Sequence, residues 1–347
     1  MTLPETYVEG FHDIEAVKKM KYIKFGNTGL LLSKLSLGCG VLGNAYGDFD
    51  ESEAISTVKE AFKLGINYVD TSPYYGDTKS ETILGKALKE IPREAYYIST
   101  KVGRYGSVFV DMFDQSAERI TIEFENSLKR LGLDYVDILI IHDIEFTPLS
   151  KILNEAIPAA ESIIKKGKAK YLGISGYPVS NLWEVIEKSS VPIQVMFSYS
   201  RDLFFDSTLK TYLPFLQGKG VSVFNSSVTG LSLLTNHGPY PWHPASDELK
   251  QICSAAAEYC KTHNVELGNL AAHYALSQQN YSTTVIGMNT KKLLRTNLEI
   301  LYNGLSEEEL KVYQEIRQKF FNTGENLHWE GVEIKALHKA LQEKTKA

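Results

Sequence analysis

The chain is poor in cysteine, in long apolar runs and in excess charge. Its three cysteines are too few, and odd in number, for a disulfide framework. No apolar stretch approaches the ~20 residues of a membrane-spanning helix, so we expect no membrane partner. The 37 basic and 42 acidic residues leave a net charge of −5. That balance argues against nucleic acid as the main partner, because neutralising phosphates needs a basic surface.

The remaining composition is typical of a globular protein. The amino-terminal residues MTLPETYVEGFHDIE are acidic and lack an apolar core, so we expect no signal peptide and a cytoplasmic location. With 347 residues and 43% hydrophobic content, the chain is long enough for one α/β barrel. We predict a single domain over 1–347, with a core over about 21–320 and a polar carboxyl-terminal tail. Cys253 and Cys260 fall seven apart in a helical pattern and are interpreted as small buried residues.

Strand-like runs alternate with helical patterns along the chain. Between most of the runs, apolar residues recur at three- and four-residue steps, as in amphipathic helices. Eight such units predict a (β/α)8 TIM barrel of parallel strands. The predicted strands are KLSLG (34–38), INYVD (66–70), YYIST (96–100), YVDILII (135–141), KYLGIS (170–175), IQVMF (193–197), VSVF (221–224) and TTVIG (283–287).

Two segments stand outside this repeat. Residues 21–35 read as a β-hairpin around the turn GNTG, and we expect it to cap the bottom of the barrel. Near the other end, Ser306 and Glu309 have the spacing of a capping box. We therefore predict an extra helix after the eighth unit.

Four polar residues fall at or just past the ends of three successive predicted strands. Asp70 and Tyr75 follow the second strand, Lys101 the third and His142 the fourth. Taken singly, each has an ordinary structural explanation, such as a helix cap or a core histidine. Jointly, they are expected to meet at the carboxyl-terminal mouth of a barrel, where such folds carry their chemistry.

This set of side chains suits proton transfer rather than metal binding. A tyrosine of pKa ~10 is a poor acid or base at neutral pH, and a nearby ammonium lowers that pKa. Lys101 is expected to supply this charge, with Asp70 orienting it. Tyr75 would then exchange a proton with a carbonyl or hydroxyl oxygen, which His142 would polarise.

The segment from Gly38 to Gly43 matches the pattern GxGxxG after a strand. A dinucleotide fingerprint of the doubly wound fold requires a helix to begin at once. Here NAYGDFD follows instead, and the next helical pattern begins near Ser52. We interpret the segment as a loop that approaches a ligand closely, with Gly40 and Val41 as candidate contacts.

Several segments together resemble the aldo-keto reductase superfamily over nearly all of residues 21–320. Within it, the chain is most similar to the L-galactose dehydrogenase-like branch. The resemblance implies a barrel that binds NADPH or NADH across its mouth, with Asp70, Tyr75, Lys101 and His142 as the catalytic tetrad. The matching segments are GINYVDTSPYYG, STKVG, SLKRLGLDYVDILIIHD, GKAKYLGIS, PIQVMFSYS, TVIGMNTKKLLRTNLE, HDIEF, NEAIPA, GISGYP and HPASDELK.

The resemblance also implies a set of cofactor contacts. Ser175 and Gln194, assigned to the ends of the fifth and sixth strands, match positions that bind the nicotinamide carboxamide. Gly176 stands where many members have Asn. Ser226 stands where many members stack a Tyr on the nicotinamide. The pyrophosphate loop is represented by Ser227, Thr229 and Gly230, and the adenosine end by Gly287, Met288, Asn289, Thr290 and Asn297.

The sequence indicates the preference between NADP(H) and NAD(H) less clearly. Members that clamp a 2′-phosphate usually carry Lys and Arg at positions that match Gly287 and Leu293 here. Lys291, Lys292 and Arg295 crowd the same turn, and an Arg suits a phosphate. The resemblance therefore favours NADP(H), with Arg295 as the phosphate contact, and leaves NAD(H) possible.

The predicted substrate pocket lies on the loops that follow the strands. Its aromatic residues would suit sugar faces or flat carbonyl compounds. The candidates are Tyr46, Arg104, Tyr105, Phe146, Tyr177 and Trp242.

The expected function is that of a monomeric NAD(P)(H)-dependent oxidoreductase that interconverts aldehydes or ketones with alcohols. Its predicted substrate is a small carbonyl compound or sugar, and no metal is expected. Two alternatives stay open. One is a Schiff-base aldolase or lyase with Lys101 as nucleophile. The other is a regulatory subunit that binds the cofactor with negligible turnover.

Overall fold

The computed structural model describes residues 3–322 and 324–345. Near the amino terminus, strands β1 (Tyr22–Lys24) and β2 (Leu31–Ser33) pair as an antiparallel hairpin. Phe25 at its turn is buried among the residues that fill the barrel. A Cβ atom on Gly26 would lie 2.8 Å from the hydroxyl of Ser222, the first residue of a barrel strand. The predicted hairpin is confirmed, and it closes the amino-terminal end of the barrel.

Eight parallel strands close into the barrel. Neighbours follow chain order from β3 to β9, and β10 completes the ring between β9 and β3. The eight predicted strands and the (β/α)8 barrel are confirmed. The strands are β3 (Leu35–Gly38), β4 (Tyr68–Asp70), β5 (Tyr97–Val102), β6 (Val136–Ile141), β7 (Ala169–Gly176), β8 (Val195–Tyr199), β9 (Ser222–Ser226) and β10 (Thr283–Gly287).

Helices surround the barrel and extend beyond it at both ends of the chain. Short 3₁₀ turns occupy Gly40–Gly43, Arg93–Ala95 and Ile144–Phe146, and a π-helical turn occupies Ile152–Ala156. The α-helices are α1 (Ile14–Lys19), α2 (Glu51–Lys63), α3 (Lys79–Leu88), α4 (Ala117–Leu131), α5 (Leu149–Lys151), α6 (Ile157–Lys165), α7 (Val179–Lys188), α8 (Thr208–Gly218), α9 (Asp247–Thr262), α10 (Leu267–Ser277), α11 (Lys291–Asn303), α12 (Glu307–Phe320) and α13 (Val332–Lys344).

The strands are buried on both faces, as in other parallel barrels. Tyr68, Ile138 and Phe197 point into the barrel and fill it. Their chain neighbours Val69 and Leu139 point outward and pack in the layer beneath the helices. This alternation follows from the two-residue period of a strand. It also aims every second residue at a strand's carboxyl end toward the mouth.

Helix ends follow the signals in the sequence. Ser116 caps α4 by accepting the N–H of Arg119, and Gly132 ends that helix with a φ of 69°. A residue in this left-handed region favours glycine, which lacks the Cβ that would clash. The chain can therefore turn at once into β6.

The carboxyl-terminal region confirms one prediction and corrects another. The capping box of Ser306 and Glu309 is formed at the start of α12, so the extra helix is confirmed. The following residues are not a polar tail. They include Trp329, which is buried, and the helix α13. The polar composition concealed this order because the partners of Trp329 lie far away in the sequence.

The GxGxxG segment takes the structure of a tight turn. Its last four residues form the 3₁₀ turn Gly40–Gly43, and the next helix begins only at Glu51. Gly43 packs directly on Gly76, because a Cβ on Gly43 would lie 2.5 Å from the Gly76 nitrogen. The segment therefore supports the turn that carries Tyr75, and the doubly wound alternative is excluded by the closed barrel.

Two further expectations can be compared with the structure. Cys253 and Cys260 are both buried and free on α9. Burial raises the pKa of the Cys260 thiol to about 12, so this thiol is held in its unreactive form. Across residues 3–322 and 324–345, no helix has the length and apolarity needed to cross a membrane.

Candidate active site

Four side chains from three neighbouring strand ends meet at the mouth of the barrel. Asp70 is the last residue of β4, and Lys101 lies near the end of β5. His142 follows β6 directly, and Tyr75 lies on the turn after β4. The Lys101 ammonium donates to the Tyr75 hydroxyl at 3.1 Å. The rings of Tyr75 and His142 lie edge to face, with their centroids 5.9 Å apart.

Lys101 is held by a carboxylate and a carbonyl. Its ammonium lies 2.6 Å from each carboxylate oxygen of Asp70 and 2.9 Å from the Thr71 carbonyl oxygen. The Ser99 hydroxyl also donates to Asp70, at 2.7 Å. A nucleophilic lysine needs a neutral amine. The Lys101 nitrogen is instead engaged by Asp70 and the Thr71 carbonyl, so the arrangement disfavours the Schiff-base alternative.

Tyr75 is held as a protonated phenol, contrary to one expectation from the sequence. Burial raises its pKa well above the ordinary value, and the charges of Asp70 and Asp143 add to this effect. The expected lowering by Lys101 is offset because Asp70 lies against the same ammonium. The hydroxyl is thus set to donate a proton rather than to exist as phenolate.

His142 is a neutral ring whose orientation is fixed from several sides. Burial lowers its pKa to about 3, which outweighs the opposing influence of Asp143. Its Nδ1 lies 3.2 Å from the Ser72 hydroxyl. The Gln115 side chain donates to its backbone carbonyl at 3.0 Å. A neutral imidazole in this position can hydrogen-bond a substrate oxygen without carrying charge.

A second polar group lies beside the tetrad and was only partly anticipated. Arg104, one of the predicted substrate residues, donates to Asp143 at 2.6 Å and to the Tyr74 hydroxyl at 2.9 Å. Asp143 also lies 3.6 Å from Nε2 of His142. Sequence reasoning missed Tyr74 and Asp143, although each directly adjoins a tetrad residue in the chain.

Several predicted cofactor residues line the same mouth. Gly40 faces the Tyr75 ring, since a Cβ on it would lie 3.9 Å from that ring. Val41 packs on the end of β10, against Gly287. The Ser175 hydroxyl near the end of β7 accepts the N–H of Asp143 at 3.3 Å.

The space beside Gly176, where the resemblance leads one to expect an Asn, is already filled. A Cβ on Gly176 would lie only 2.4 Å from Oε2 of Glu145. The Glu145 carboxyl, whose Oε1 accepts the Tyr177 N–H at 2.8 Å, therefore occupies the space that a longer side chain would need. The amide contact expected from an Asn is thus absent for a steric reason.

The assignment of Gln194 is wrong. This residue precedes β8 instead of ending it, so it lies toward the amino-terminal side of the barrel. Its side-chain oxygen accepts the N–H of Leu172 at 2.9 Å, and its amide donates to the Pro192 carbonyl at 3.2 Å. Both polar groups are engaged away from the mouth. The predicted strand was right, but its polar residue belonged to the start and not the end.

The predicted pyrophosphate loop follows β9. Ser226 ends that strand and donates to the Ser198 carbonyl at 3.2 Å. Ser227 and Gly230 both have positive φ, of 52° and 59°, in a turn that also contains Thr229. The Gly230 carbonyl is held by Nε2 of His243 at 2.9 Å.

The predicted adenosine segment adjoins this loop because β9 and β10 are neighbours. Gly287 ends β10, Asn289 follows it, and Thr290 caps α11 by accepting the Leu293 N–H. Met288 is buried in the layer outside the barrel, so its side chain is turned away from the mouth. Asn297 is buried and donates to the Leu293 carbonyl at 2.8 Å.

Arg295 does not stand free for a phosphate. Its guanidinium donates to Oε1 of Glu60 on α2 at 3.0 and 3.1 Å. Lys291 lies 3.6 Å from the other oxygen of the same carboxylate. The sequence indicated a basic turn, but it could not reveal the acidic residue that the neighbouring helix sets against it.

The arrangement fits a dinucleotide. The loop after β9 and the start of α11 lie side by side, and the amino-terminal end of a helix favours phosphate groups. Glycine at 287 leaves no room for a side chain, since its Cβ would meet Val41 at 2.6 Å. Ser175, Ser227, Thr229 and Asn289 are the residues that would hold the cofactor there.

The predicted substrate residues divide into two groups. Phe146 stacks on Phe113 at 4.1 Å beside the Arg104 guanidinium. Tyr46 and Trp242 form an aromatic cluster on the opposite loops, with ring centroids 5.8 Å apart. Together with Arg104, these residues surround the mouth.

Tyr105 and Tyr177 are not open to a substrate. Tyr105 packs in the layer outside the barrel, with Arg119 of α4 above its ring. Tyr177 is buried beneath Trp329, whose indole stacks on it at 4.6 Å. The sequence revealed the loops that bear these rings but not the direction in which each ring points.

Comparison with known proteins agrees with this geometry. The model of the aldo/keto reductase family matches residues 34–318. The chain belongs to this family. It is 41% identical to L-galactose dehydrogenase from Arabidopsis thaliana, over 90% of this chain and 97% of that protein. It is 34% identical to D-arabinose 1-dehydrogenase from Saccharomyces cerevisiae, over 86% and 93%.

A solved structure has the same architecture. An aldo-keto reductase from Bacillus halodurans in its holo form superposes with a TM-score of 0.66 at 28% identity, covering 86% of this chain and 96% of that one. This aldo-keto reductase is therefore an NAD(P)(H)-dependent oxidoreductase that interconverts aldehydes or ketones with alcohols. The geometry of the four predicted tetrad residues is suited to the proton-transfer half of that reaction.

Proposed function

We propose that this aldo-keto reductase is an aldose dehydrogenase, acting at the C1 position of a sugar with NAD(H) as its preferred cofactor. The observation that carries the sugar assignment is its 41% identity, over nearly the full length of both chains, to L-galactose dehydrogenase. The polar character of the mouth supports it. Arg104, Asp143 and Tyr74 provide hydrogen-bonding groups beside the tetrad, as a polyhydroxylated substrate requires.

The tetrad residues have distinct roles in this proposal. The nicotinamide supplies or accepts the hydride when it is bound. Tyr75 exchanges the proton with the sugar oxygen, and its protonated state suits the reductive direction directly. His142 hydrogen-bonds the same oxygen and fixes its position. Lys101, anchored by Asp70, orients the Tyr75 hydroxyl through the contact at 3.1 Å.

Three features support NAD(H) over NADP(H), although family resemblance favours the latter. Gly287 offers no side chain to a 2′-phosphate. Leu293 is apolar at the other position where members usually carry a cation. Glu60 offsets the positive charges of Lys291 and Arg295. A carboxylate near a ribose disfavours an additional phosphate through like-charge repulsion.

The first experiment is a fluorescence titration of the purified protein with NADH and NADPH in parallel. Tighter binding of NADH supports the proposal, and tighter binding of NADPH overturns its cofactor half. Turnover is then measured with L-galactose, D-arabinose and propanal. Oxidation of an aldose supports the sugar assignment, whereas activity confined to reduction of simple aldehydes contradicts it. A cytoplasmic location and a monomeric state stay predictions.

A further inference from the structure

The carboxyl-terminal strap, residues 326–344, crosses the mouth on the side of β7 and β8. It lies beyond the part of the chain that the family model matches. The Leu327 N–H donates to the Phe205 carbonyl at 2.7 Å, and Glu330 pairs with Arg201 at 2.7 Å. The backbone N–H of Trp329 donates to the Tyr177 hydroxyl at 3.1 Å. These contacts hold the strap against the loops that follow β7 and β8.

Two polar atoms beneath the strap are closed off from solvent and have no hydrogen-bond partner. One is Nε1 of Trp329, a donor, and the other is Oε2 of Glu145. Buried polar atoms are nearly always paired, so each unpaired one requires an explanation. Here a donor and a carboxyl oxygen remain unpaired on the walls of one cavity. A water molecule or a ligand hydroxyl that reached both atoms would satisfy them.

The cavity is small and lies next to the mouth. Its volume is about 10 Å³, and its walls include Phe146, Tyr177 and Glu333 besides the two residues with unpaired atoms. A space of this size accepts one group as large as a water molecule or a hydroxyl. Phe146 in its wall also lies beside Arg104, and Arg104 contacts Asp143 of the polar network.

A hydroxyl is the group that these two atoms would bind. It can accept the indole N–H with one lone pair, and its proton can go to a carboxylate. Burial raises the pKa of the Glu145 carboxyl well above its ordinary value. A protonated carboxyl would donate to the hydroxyl's second lone pair, so a hydroxyl suits either state. A methyl group would leave both protein atoms unpaired.

We propose that Trp329 and Glu145 form a recognition pair for one hydroxyl of the sugar substrate, at a distance from the reacting carbon. The inference rests on the proposed function, because it assigns the specificity of that same site. It makes these two residues determinants of selectivity for polyhydroxylated substrates over simple aldehydes.

The first test is Trp329→Phe, which removes the donor and keeps a ring stacked on Tyr177. The matched control is Trp183→Phe, on the outer surface of α7. We expect Trp329→Phe to lower kcat/KM for L-galactose about three- to tenfold, the range for one neutral hydrogen bond. kcat/KM for propanal should not change. An equal loss on both substrates would mean that Trp329 only supports the fold, and no loss on either would also overturn the proposal.

The second test removes the hydroxyl from the substrate. The monodeoxy derivatives of L-galactose are compared in the wild-type protein and in Trp329→Phe. One derivative should lose activity in the wild type and lose little further in the variant, because both changes remove the same contact. Additive losses for every derivative would overturn the pair even if the variant were poorly folded. If the wild type turned over propanal but no aldose, the proposed sugar function would fail and the inference with it.

Discussion

Lys101 and Arg201 are both cations buried to 1% exposure near the carboxyl ends of the strands, yet they serve different purposes. Lys101 contacts both oxygens of one carboxylate, Asp70, and also donates to the Tyr75 hydroxyl. Arg201 lies 3.0 Å from Asp206 and 2.7 Å from Glu330, with its guanidinium over the ring of Tyr177.

The two cations differ in the number of their carboxylate partners and in the other contacts that each one makes. Burying a cation is costly unless carboxylates and hydrogen bonds surround it. Arg201 has two carboxylates and joins the β8 loop to the carboxyl-terminal strap. Lys101 has one carboxylate partner, Asp70, and also contacts the ionisable hydroxyl of Tyr75. The ion pair of Lys101 therefore belongs to the candidate site because it contacts the Tyr75 hydroxyl, whereas the ion pairs of Arg201 connect two parts of the fold.

The largest effect should come from removing the proton donor. Tyr75→Phe should lower turnover about 10²- to 10⁴-fold, the usual contribution of general acid–base catalysis. Cofactor binding should persist, because only a hydroxyl is lost. Steady-state kinetics and NADH titration check both statements, with Tyr259→Phe on α9 as the control. Full activity in Tyr75→Phe would remove Tyr75 from the tetrad.

The substitutions Lys101→Met and Arg201→Met test directly whether the two cations have different roles. Each should lower the free energy of unfolding by about 3–5 kcal/mol, because each removes the cation from one buried carboxylate, Asp70 or Asp206. Only Lys101→Met should also lower kcat for propanal, by about a hundredfold per folded molecule. Urea unfolding and kinetics on the folded fraction separate the effects. A similar loss of kcat in Arg201→Met would show that the two cations do not differ.

The pH dependence of stability tests two buried rings, one in the tetrad and one beside the strap. Burial lowers the pKa of His142 to about 3 and that of His243, whose ring lies 5.0 Å from Trp329, to about 4. Below pH ~6.5 the unfolded chain binds protons that these folded rings do not. Stability should therefore be complete above pH ~6.5 and fall toward pH 3, by about 1 kcal/mol per pH unit for His142.

Thermal unfolding between pH 4 and 8 tests this expectation. His243→Gln should show a shallower decline than the wild type and should retain its activity at pH 7. A melting temperature that rises as the pH falls from 6.5 to 4 would contradict the neutral state of both rings.

The smallest effect is expected at Arg295. Because its guanidinium contacts Glu60 at the surface, Arg295→Ala should change the dissociation constants of NADH and NADPH less than about twofold, and stability by less than about 1 kcal/mol. Parallel titrations with Lys292→Ala as the control measure this. Selective weakening of NADPH would restore Arg295 as a phosphate contact and weaken the case for NAD(H).

The predictable part of the fold depended on local signals. The eight strands could be predicted because each is a short apolar run before or after a helical period. The meeting of Asp70, Lys101 and His142 could be predicted because each lies within one residue of the carboxyl end of its strand. Parallel strands place equivalent ends together, so sequence spacing translated directly into space.

The unpredictable part depended on distant contacts. The polar composition of the last residues indicated a tail, but Trp329 is ordered by Tyr177, 152 residues earlier. Arg295 could not be interpreted without Glu60, which lies on another helix. Gln194 was misplaced because local pattern fixes a strand more firmly than its first and last residues.

The contact between Gly43 and Gly76 has a consequence for mutational tolerance. Neither residue bears a functional group, and no cofactor or substrate role is assigned to them. Yet a Cβ on either would lie 2.5 Å from the other's backbone, next to the turn that carries Tyr75. A saturation library selected for activity should therefore accept almost nothing but glycine at both positions. The library would therefore identify Gly43 and Gly76 as essential, although neither residue is expected to contact the substrate or the cofactor.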